Sequence, residues 1–320
     1  MNTRQAPIIT AALLLLFGLI AASAGAVSGA VSALHTCASV IVPCLFPFFV
    51  VSFLINRSGL SQWLGKLLEK PMSLLFGVSG TGAGVFLLGI LGGYPAGAGI
   101  IADLMHRGEL HKSEAQRLIM FCNNSGPAFL IGAVGIGIFH STSAGLLLYG
   151  IHVLSAIITG LFLAGSHPPK APSAIVMEVL SLSEALPEAI SKAVTQTLQV
   201  CGYVVFFGAV TGALEQTGTL PPIYSSLAAN TPLTLHDARA LCMGIMELGC
   251  GIGAMQGTSL CPRSLTLCAF LTGFGGLSVC LQTMGMLQGT NIGVRYHLAG
   301  RLCCGCLSGF LMYVISSIML

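Results

Sequence analysis

Long apolar runs dominate the chain. Seven have spanning length, roughly residues 7–28, 34–55, 114–138, 144–165, 194–214, 264–289 and 302–319, each enough to cross a hydrocarbon core as a helix. Two further apolar runs, 80–102 and 240–258, are rich in glycine and interrupted at their centres. Between these lie two amphipathic stretches. Leu60, Trp63, Leu64, Leu67 and Leu68 share one helical face opposite Gln62, Lys66, Glu69 and Lys70. That pattern predicts an interfacial helix with Trp63 at headgroup level. Residues 174–195 are similar, with Pro187 and Glu188 starting a helical turn.

One span carries a polar interruption. Cys122-Asn123-Asn124-Ser125-Gly126-Pro127 sits inside the run 114–138. Unpaired backbone is costly in hydrocarbon, so such a break is tolerated only where protein or a water-filled cavity supplies partners. Polar side chains at a broken membrane helix are the usual construction of a transporter site. A proline kink that only shapes packing is the plainer alternative, but it leaves Asn-Asn-Ser without a purpose.

Composition agrees with a membrane protein. Hydrophobic residues make up 54% and charged residues 7%, against about a quarter charged in soluble domains. The net charge is +3 and no basic run points to nucleic acid. Cys37, Cys44, Cys122, Cys201, Cys268 and Cys280 lie within apolar runs, where cysteine behaves as a small hydrophobe. Cys303, Cys304 and Cys306 lack a second pair at zinc spacing. Arg4 and the run ending at Ala21–Ala26 imitate a signal peptide, but the run is long enough to be a first transmembrane helix.

Charge then sets topology, because basic residues favour the cytoplasmic side. Segment 80–102 is flanked by Arg57, Lys66 and Lys70 before it and Arg107, Lys112 and Arg117 after it. Both ends should face the cytoplasm, making it a re-entrant hairpin with its tip at Gly92–Gly97. The loop at 139–142 has no Lys or Arg and should face outward. Lys170 and Lys192 return the central loop to the inside, and Arg295 and Arg301 do the same for the loop before the last helix. The count closes only if 240–258 is a second hairpin, entered from outside.

The Pro/Ser-rich linker His167–Ser173 divides the chain. The expected organisation is a first half at 1–166, a cytoplasmic linker and amphipathic helix at 167–192, and a second half at 193–320. The halves match weakly at an offset of roughly 150–160 residues: Phe48-Phe49 with Phe206-Phe207, Gly92 with Glu247–Gly253, and Asn123 with Gly273–Ser278. The predicted fold is therefore an all-α membrane protein of about seven transmembrane helices plus two re-entrant hairpins, arranged as two inverted-topology repeats.

Glu247 is the one acid expected deep in a membrane segment, where ionisable groups are functional by default. It could carry a coupling proton, ligate Na⁺ or accept a hydrogen bond from solute; the alternative is a structural acid capping a helix. Proton coupling suits an anionic solute, which a charged Glu247 would repel. Asn123, Asn124 and Ser125 offer donors and acceptors, and nearby half-helix N-termini would favour a carboxylate. Gly93, Gly97 and Gly126 permit close backbone approach, and Ser278 and Gln282 could complete the pocket. Asn123, Asn124 and Ser125 are expected to line one cavity with Glu247. The histidines are scattered, and no nucleophile–base pair or metal set appears, so an enzyme is not expected. Asp103, Arg107, Glu109, Lys112 and Glu114 read as a solvated loop, with Ser113 as an N-cap.

Several strings resemble one family. They are Glu114–Leu118 continuing through Phe121–Pro127, Gly93-Tyr94-Pro95-Ala96-Gly97-Ala98, Gly273–Val279 with Gln282, and Ile292 through Arg295 to Arg301. Together they resemble the YlbJ/SpoVV family of sporulation integral membrane proteins, over residue 35 to the C-terminus. That family has a nucleoside-recognition or gate domain and is similar to concentrative nucleoside transporters. The resemblance implies a carrier of a small polar or anionic solute in endospore formation: dipicolinate, across the outer forespore membrane, with an effect on the cortex. The residues expected to bind the solute are Asn123, Asn124, Ser125, Gly126, Gly93, Tyr94, Gly97, Ser278 and Gln282. The expected partners are that solute and the lipid bilayer, with a homo-oligomer left open. No cofactor is expected beyond H⁺ or Na⁺ as coupling ion. The sequence departs from the family at Gly249, where a hydroxyl residue tends to follow the acid, and at Cys280, where relatives often have His. A nucleoside-like carrier, or a non-transporting scaffold or sensor, is the alternative.

Overall fold

The computed structural model describes residues 5–163 and 181–319, and all regular structure among them is helical. Most of the linker expected at 167–192 lies outside the described residues. The chain opens with α1 (Gln5–Ala21) and α2 (Ser23–Thr36), which passes through a π-helical turn at Cys37–Ile41 into α3 (Val42–Arg57). Next come α4 (Leu60–Leu67), α5 (Glu69–Pro71), a π-helical stretch at Met72–Phe76, α6 (Thr81–Gly92), α7 (Ala96–His106) and α8 (Lys112–Phe121). A third π-helical segment, Ala128–Ile138, leads into α9 (Thr142–Phe162). The remainder is α10 (Leu182–Gln216), α11 (Leu220–Asn230), α12 (Leu235–Met246), α13 (Leu248–Gly253), α14 (Pro262–Phe274), α15 (Gly276–Met286) and α16 (Val294–Met319).

Five helical segments among the described residues are long and apolar enough to cross a membrane, not seven: Ser23–Ile55, Thr142–Phe162, Leu182–Gln216, Pro262–Met286 and Val294–Met319. The first two expected spans are redistributed, because helix 5–21 stops at Ala21 and the next runs unbroken to Ile55. The expected span 114–138 is unwound between Phe121 and Ala128, so neither piece has spanning length.

The two hairpins are also corrected. Among the described residues there is one re-entrant pair, and it is placed elsewhere: Glu69–Phe76 and Thr81–Gly92 meet at 83°. Two carboxylates pin this corner. Glu114 Oε1 accepts from the Ser79 amide at 2.6 Å, and Glu69 Oε2 accepts from the Gly80 amide at 2.7 Å. Counting the pair as a span gives at most six. Segment 240–258 does not form a matching unit: α12 reaches Met246, Glu247 alone is extended, and α13 lasts six residues. The two inverted-topology repeats fall with it. Basic flanks report which side a segment's ends occupy, and they carry no information on the path between. Glu114, read from sequence as solvated, is fully buried by its bond to Ser79, and the N-cap of α8 is His111 rather than Ser113.

The amphipathic stretch expected near 174–195 becomes, from Leu182, the first turns of α10. A capping box starts that helix, Ser181 with Glu184. Its 35 residues extend about 52 Å at 1.5 Å per residue, well beyond a hydrocarbon core of about 30 Å. Its overhang carries Glu188, which pairs with Arg57 at the end of α3 and with Lys192 at 2.9 Å.

Helices α2 and α10 approach through two small-xxx-small rows, Gly25/Gly29 and Gly208/Gly212, the pattern that lets membrane helices pack backbone to backbone. A Cβ on Gly29 would lie 2.1 Å from the Gly208 carbonyl oxygen, and one on Gly212 2.2 Å from that of Gly25. Gly202 on the same helix meets nothing within 4 Å. Gly212→Val should therefore lower stability by about 1–3 kcal/mol through overpacking, while Gly202→Ala should be neutral. Thermal melts in detergent check both, and equal melts would refute the contact.

Candidate functional site

Four interruptions of helix meet in the middle of the bundle. Gly93 takes φ +77 between α6 and α7, and Cys122–Gly126 is unwound after α8. Glu247 is extended at φ −147 between α12 and α13, and Gly275 and Gly276 take φ +85 and +80 between α14 and α15. A helix break exposes carbonyls and amides, so each needs partners from another break. Tyr94 supplies some: its hydroxyl donates to the Thr272 carbonyl at 3.0 Å. The Cys122 carbonyl comes so near α7 that a Cβ on Gly97 would lie 2.3 Å from it.

The predicted polar residues are all buried, and most are engaged within the protein. Asn123 Nδ2 donates to Thr283 Oγ1 at 2.8 Å, and Asn123 Oδ1 accepts from the Ala98 amide at 3.3 Å. Asn124 Nδ2 donates to the Phe121 carbonyl at 2.7 Å. Ser125 donates its amide to His152 Nε2 at 3.0 Å and its hydroxyl to the Thr272 carbonyl at 3.3 Å. Gln282 Nε2 donates to Ser278 Oγ at 3.0 Å. Half-helix N-termini were expected to face solute, but the amides of Ala98, Ser125 and Cys250 are already taken by Asn123, His152 and Glu247.

A cavity of about 50 Å³ lies among these breaks. Gly93, Tyr94, Ser125, Gly126, Gln282 and Glu247 line it. The structure therefore brings six of the predicted residues to one space. Asn123, Asn124, Gly97 and Ser278 stand behind its wall and not on it.

Glu247 is only 2% exposed, and its carboxylate accepts from the Cys250 amide at 2.6 Å, capping α13. No ion pair among the described residues includes it. Asp237, equally buried, pairs with Arg263 at 2.7 Å.

The sequence reading missed Arg301. The basic flank places it in a loop by sequence, yet α16 begins at Val294 and carries Arg301 into the interior at 1% exposure. Its Nη1 donates to Tyr94 Oη at 2.9 Å and Asn124 Oδ1 at 3.3 Å, and Nη2 to the Met120 carbonyl at 3.0 Å. Nε has no partner, and no carboxylate lies within ion-pair distance among the described residues. Gly300 makes the approach possible, since a Cβ there would lie 2.1 Å from the Met120 carbonyl oxygen. His152 was also missed; its Nδ1 is buried and unpartnered. An Arg within a mostly apolar 26-residue run was the available signal. Among the described residues no group of three His, Cys, Asp or Glu is placed to hold a metal ion.

A family model described as Gate, nucleoside recognition, matches residues 38–142, which hold Gly93, Tyr94, Gly97 and the break at 122–127. The sporulation integral membrane protein YlbJ of Bacillus subtilis (strain 168) is 29% identical over 289 residues, covering 82% of this chain and 71% of that protein. The chain is thus similar to YlbJ over most of its length, and the Gate match covers about a third of it. No solved structure matches. Relative to the Gate domain, Glu247, Gln282 and Arg301 are contributed from outside, so the cavity needs the C-terminal part of the chain as well.

Proposed function

We propose that this chain is a carrier, not an enzyme, that moves a small polar or anionic solute across a bacterial membrane during endospore formation. The finer reading is dipicolinate across the outer forespore membrane, supporting spore maturation and cortex formation. One observation carries the transport reading: a cavity at the meeting of four helix breaks, with an unpaired buried acid in its wall and an unpaired buried guanidinium directly behind Tyr94. Isolated charges are expensive inside a membrane and serve mainly where solutes or ions pass. In this reading Glu247 takes the coupling H⁺ or Na⁺, and Tyr94, Ser125 and Gln282 meet solute. Asn123, Asn124, Gly97 and Ser278 hold the walls, and Arg301 makes the Tyr94 side attractive to a carboxylate. We keep the division into 1–166, 167–192 and 193–320 as a functional proposal, since both halves supply cavity walls; no repeat symmetry is implied.

The extent to which polar groups are already satisfied favours a second reading, a non-transporting scaffold or sensor. Uptake into proteoliposomes separates the two. Labelled dipicolinate should accumulate under an imposed proton or sodium gradient, and a nucleoside panel run alongside tests the alternative substrate class. No gradient-dependent accumulation of any of them would favour the scaffold.

A further inference from the structure

A second cavity, of about 380 Å³, lies beside the first. Four elements line both, and the three helices among them contribute to the two one turn apart. On α3 these are Leu45 and Phe49, on α10 Val200 and Gln196, and on α15 Gln282 and Met286. The α6–α7 connection gives Tyr94 to the small cavity and Ala96 to the large one. Four residues per step is one helical turn, about 5.4 Å of axial rise. The large cavity is therefore stacked directly on the small one along the bundle axis.

Direction follows from the same elements. Passing from the small cavity through the large one, α3 leads to Arg57, α7 to Arg107, α10 back to Lys192, and α15 on towards Arg295. The large cavity faces the Lys/Arg-rich end, the cytoplasmic side by the positive-inside rule. Its rim residues Asp103 and Lys192 have well-exposed side chains, 42% and 46%.

Size and chemistry divide the work between the two. The first cavity is small, about 50 Å³, whereas 380 Å³ is within the usual range of small-molecule pockets. The rim charges are already matched, Asp103 by Arg107 and Lys192 by Glu188. Gln196 differs. It lines the large cavity, is 7% exposed, and its Nε2 has no partner. A buried amide donor without an acceptor is unfavourable, and a solute bearing an acceptor oxygen would relieve it.

We propose that the large cavity is the cytoplasm-facing vestibule and first binding station, with Gln196 Nε2 donating to a carboxylate or carbonyl oxygen of the entering solute. The layer of Leu45, Val200 and Gln282 then separates solute from the Glu247 chamber. The solute role rests on the transport reading above; the vestibule does not.

The test uses single cysteines on a cysteine-free, full-length background in vesicles of known orientation, probed with a membrane-impermeant thiosulfonate. Thr195→Cys and Met286→Cys should label from the cytoplasmic face at least tenfold faster than Val200→Cys and Gln282→Cys one turn deeper. Dipicolinate should slow labelling of Thr195→Cys, and adding Gln196→Leu should raise the concentration needed at least fivefold. Equal rates in both layers, or labelling only from the opposite face, would overturn the vestibule. Layered labelling without dipicolinate protection would overturn the binding station. Layered labelling in a protein that transports nothing would remove the transport reading and leave the vestibule standing.

Discussion

Glu247→Gln is expected to enter the membrane folded and lose gradient-driven accumulation of solute. The substitution keeps the side-chain oxygen that caps α13 through the Cys250 amide, so the helix start survives. It removes the group that can exchange a proton or hold a cation. Each pH unit across the membrane is worth about 1.4 kcal/mol per coupled proton, or about tenfold accumulation. That factor should fall to one in the variant, while exchange of solute at equal concentrations persists. Proteoliposome uptake with and without gradients, together with a detergent melt, measures both. A variant that concentrates solute like the parent at every gradient would make Glu247 a capping residue only.

Arg301→Met should be the more damaging change. It leaves the Asn124 Oδ1 and Met120 carbonyl acceptors without their donor and removes the charge behind Tyr94. Each buried acceptor left unsatisfied is unfavourable by about 1–3 kcal/mol. Removing a lone buried charge offsets part of that, so the melt should fall by an amount equivalent to about 1–4 kcal/mol. Loss of a charge-assisted contact of about 1.5–3 kcal/mol predicts an uptake rate for an anion lowered about 10- to 100-fold. Arg301→Lys keeps the charge without the planar fork, and should recover anion uptake more than stability. Unchanged melting and uptake in Arg301→Met would take Arg301 out of both roles.

What the sequence disclosed was decided by the kind of signal. The break at Cys122–Pro127 was legible because polar residues inside a long apolar run have few physical excuses. The glycine break at 275–276 fell within Gly273–Ser278, which the sequence offered only through a repeat that the fold does not bear out, and the amphipathic helix beginning at Leu60 was legible from its periodicity. Glu247 stood out by depth alone. The path of the chain was less accessible. The corner at Gly77–Gly80 is set by Glu69 and Glu114, which read as surface charge but accept from the Gly80 and Ser79 amides. Arg301 was hidden because the boundary of α16 was placed eight residues late, which turned an interior group into a flank. Asn123 and Asn124 were recognised as important, but their partners, Thr283 and Arg301, lie 160 and 177 residues away.

Those separations bear on how the protein can be made. Helices α6, α7 and α8 have 12, 11 and 10 residues, reaching about 15–18 Å at 1.5 Å per residue, and none can hold a membrane-crossing position by itself. Their broken ends are satisfied by Thr272, Thr283 and Arg301, which emerge from the ribosome more than a hundred residues later. Until then the Asn-Asn-Ser segment has bare amides and carbonyls that hydrocarbon would reject. Biogenesis must therefore keep the Gate segment sheltered, in the insertion machinery or near the headgroups, while the long helices enter first. A chain cut short before α14 would leave that segment permanently exposed, and should be recognised by membrane proteases as unfinished.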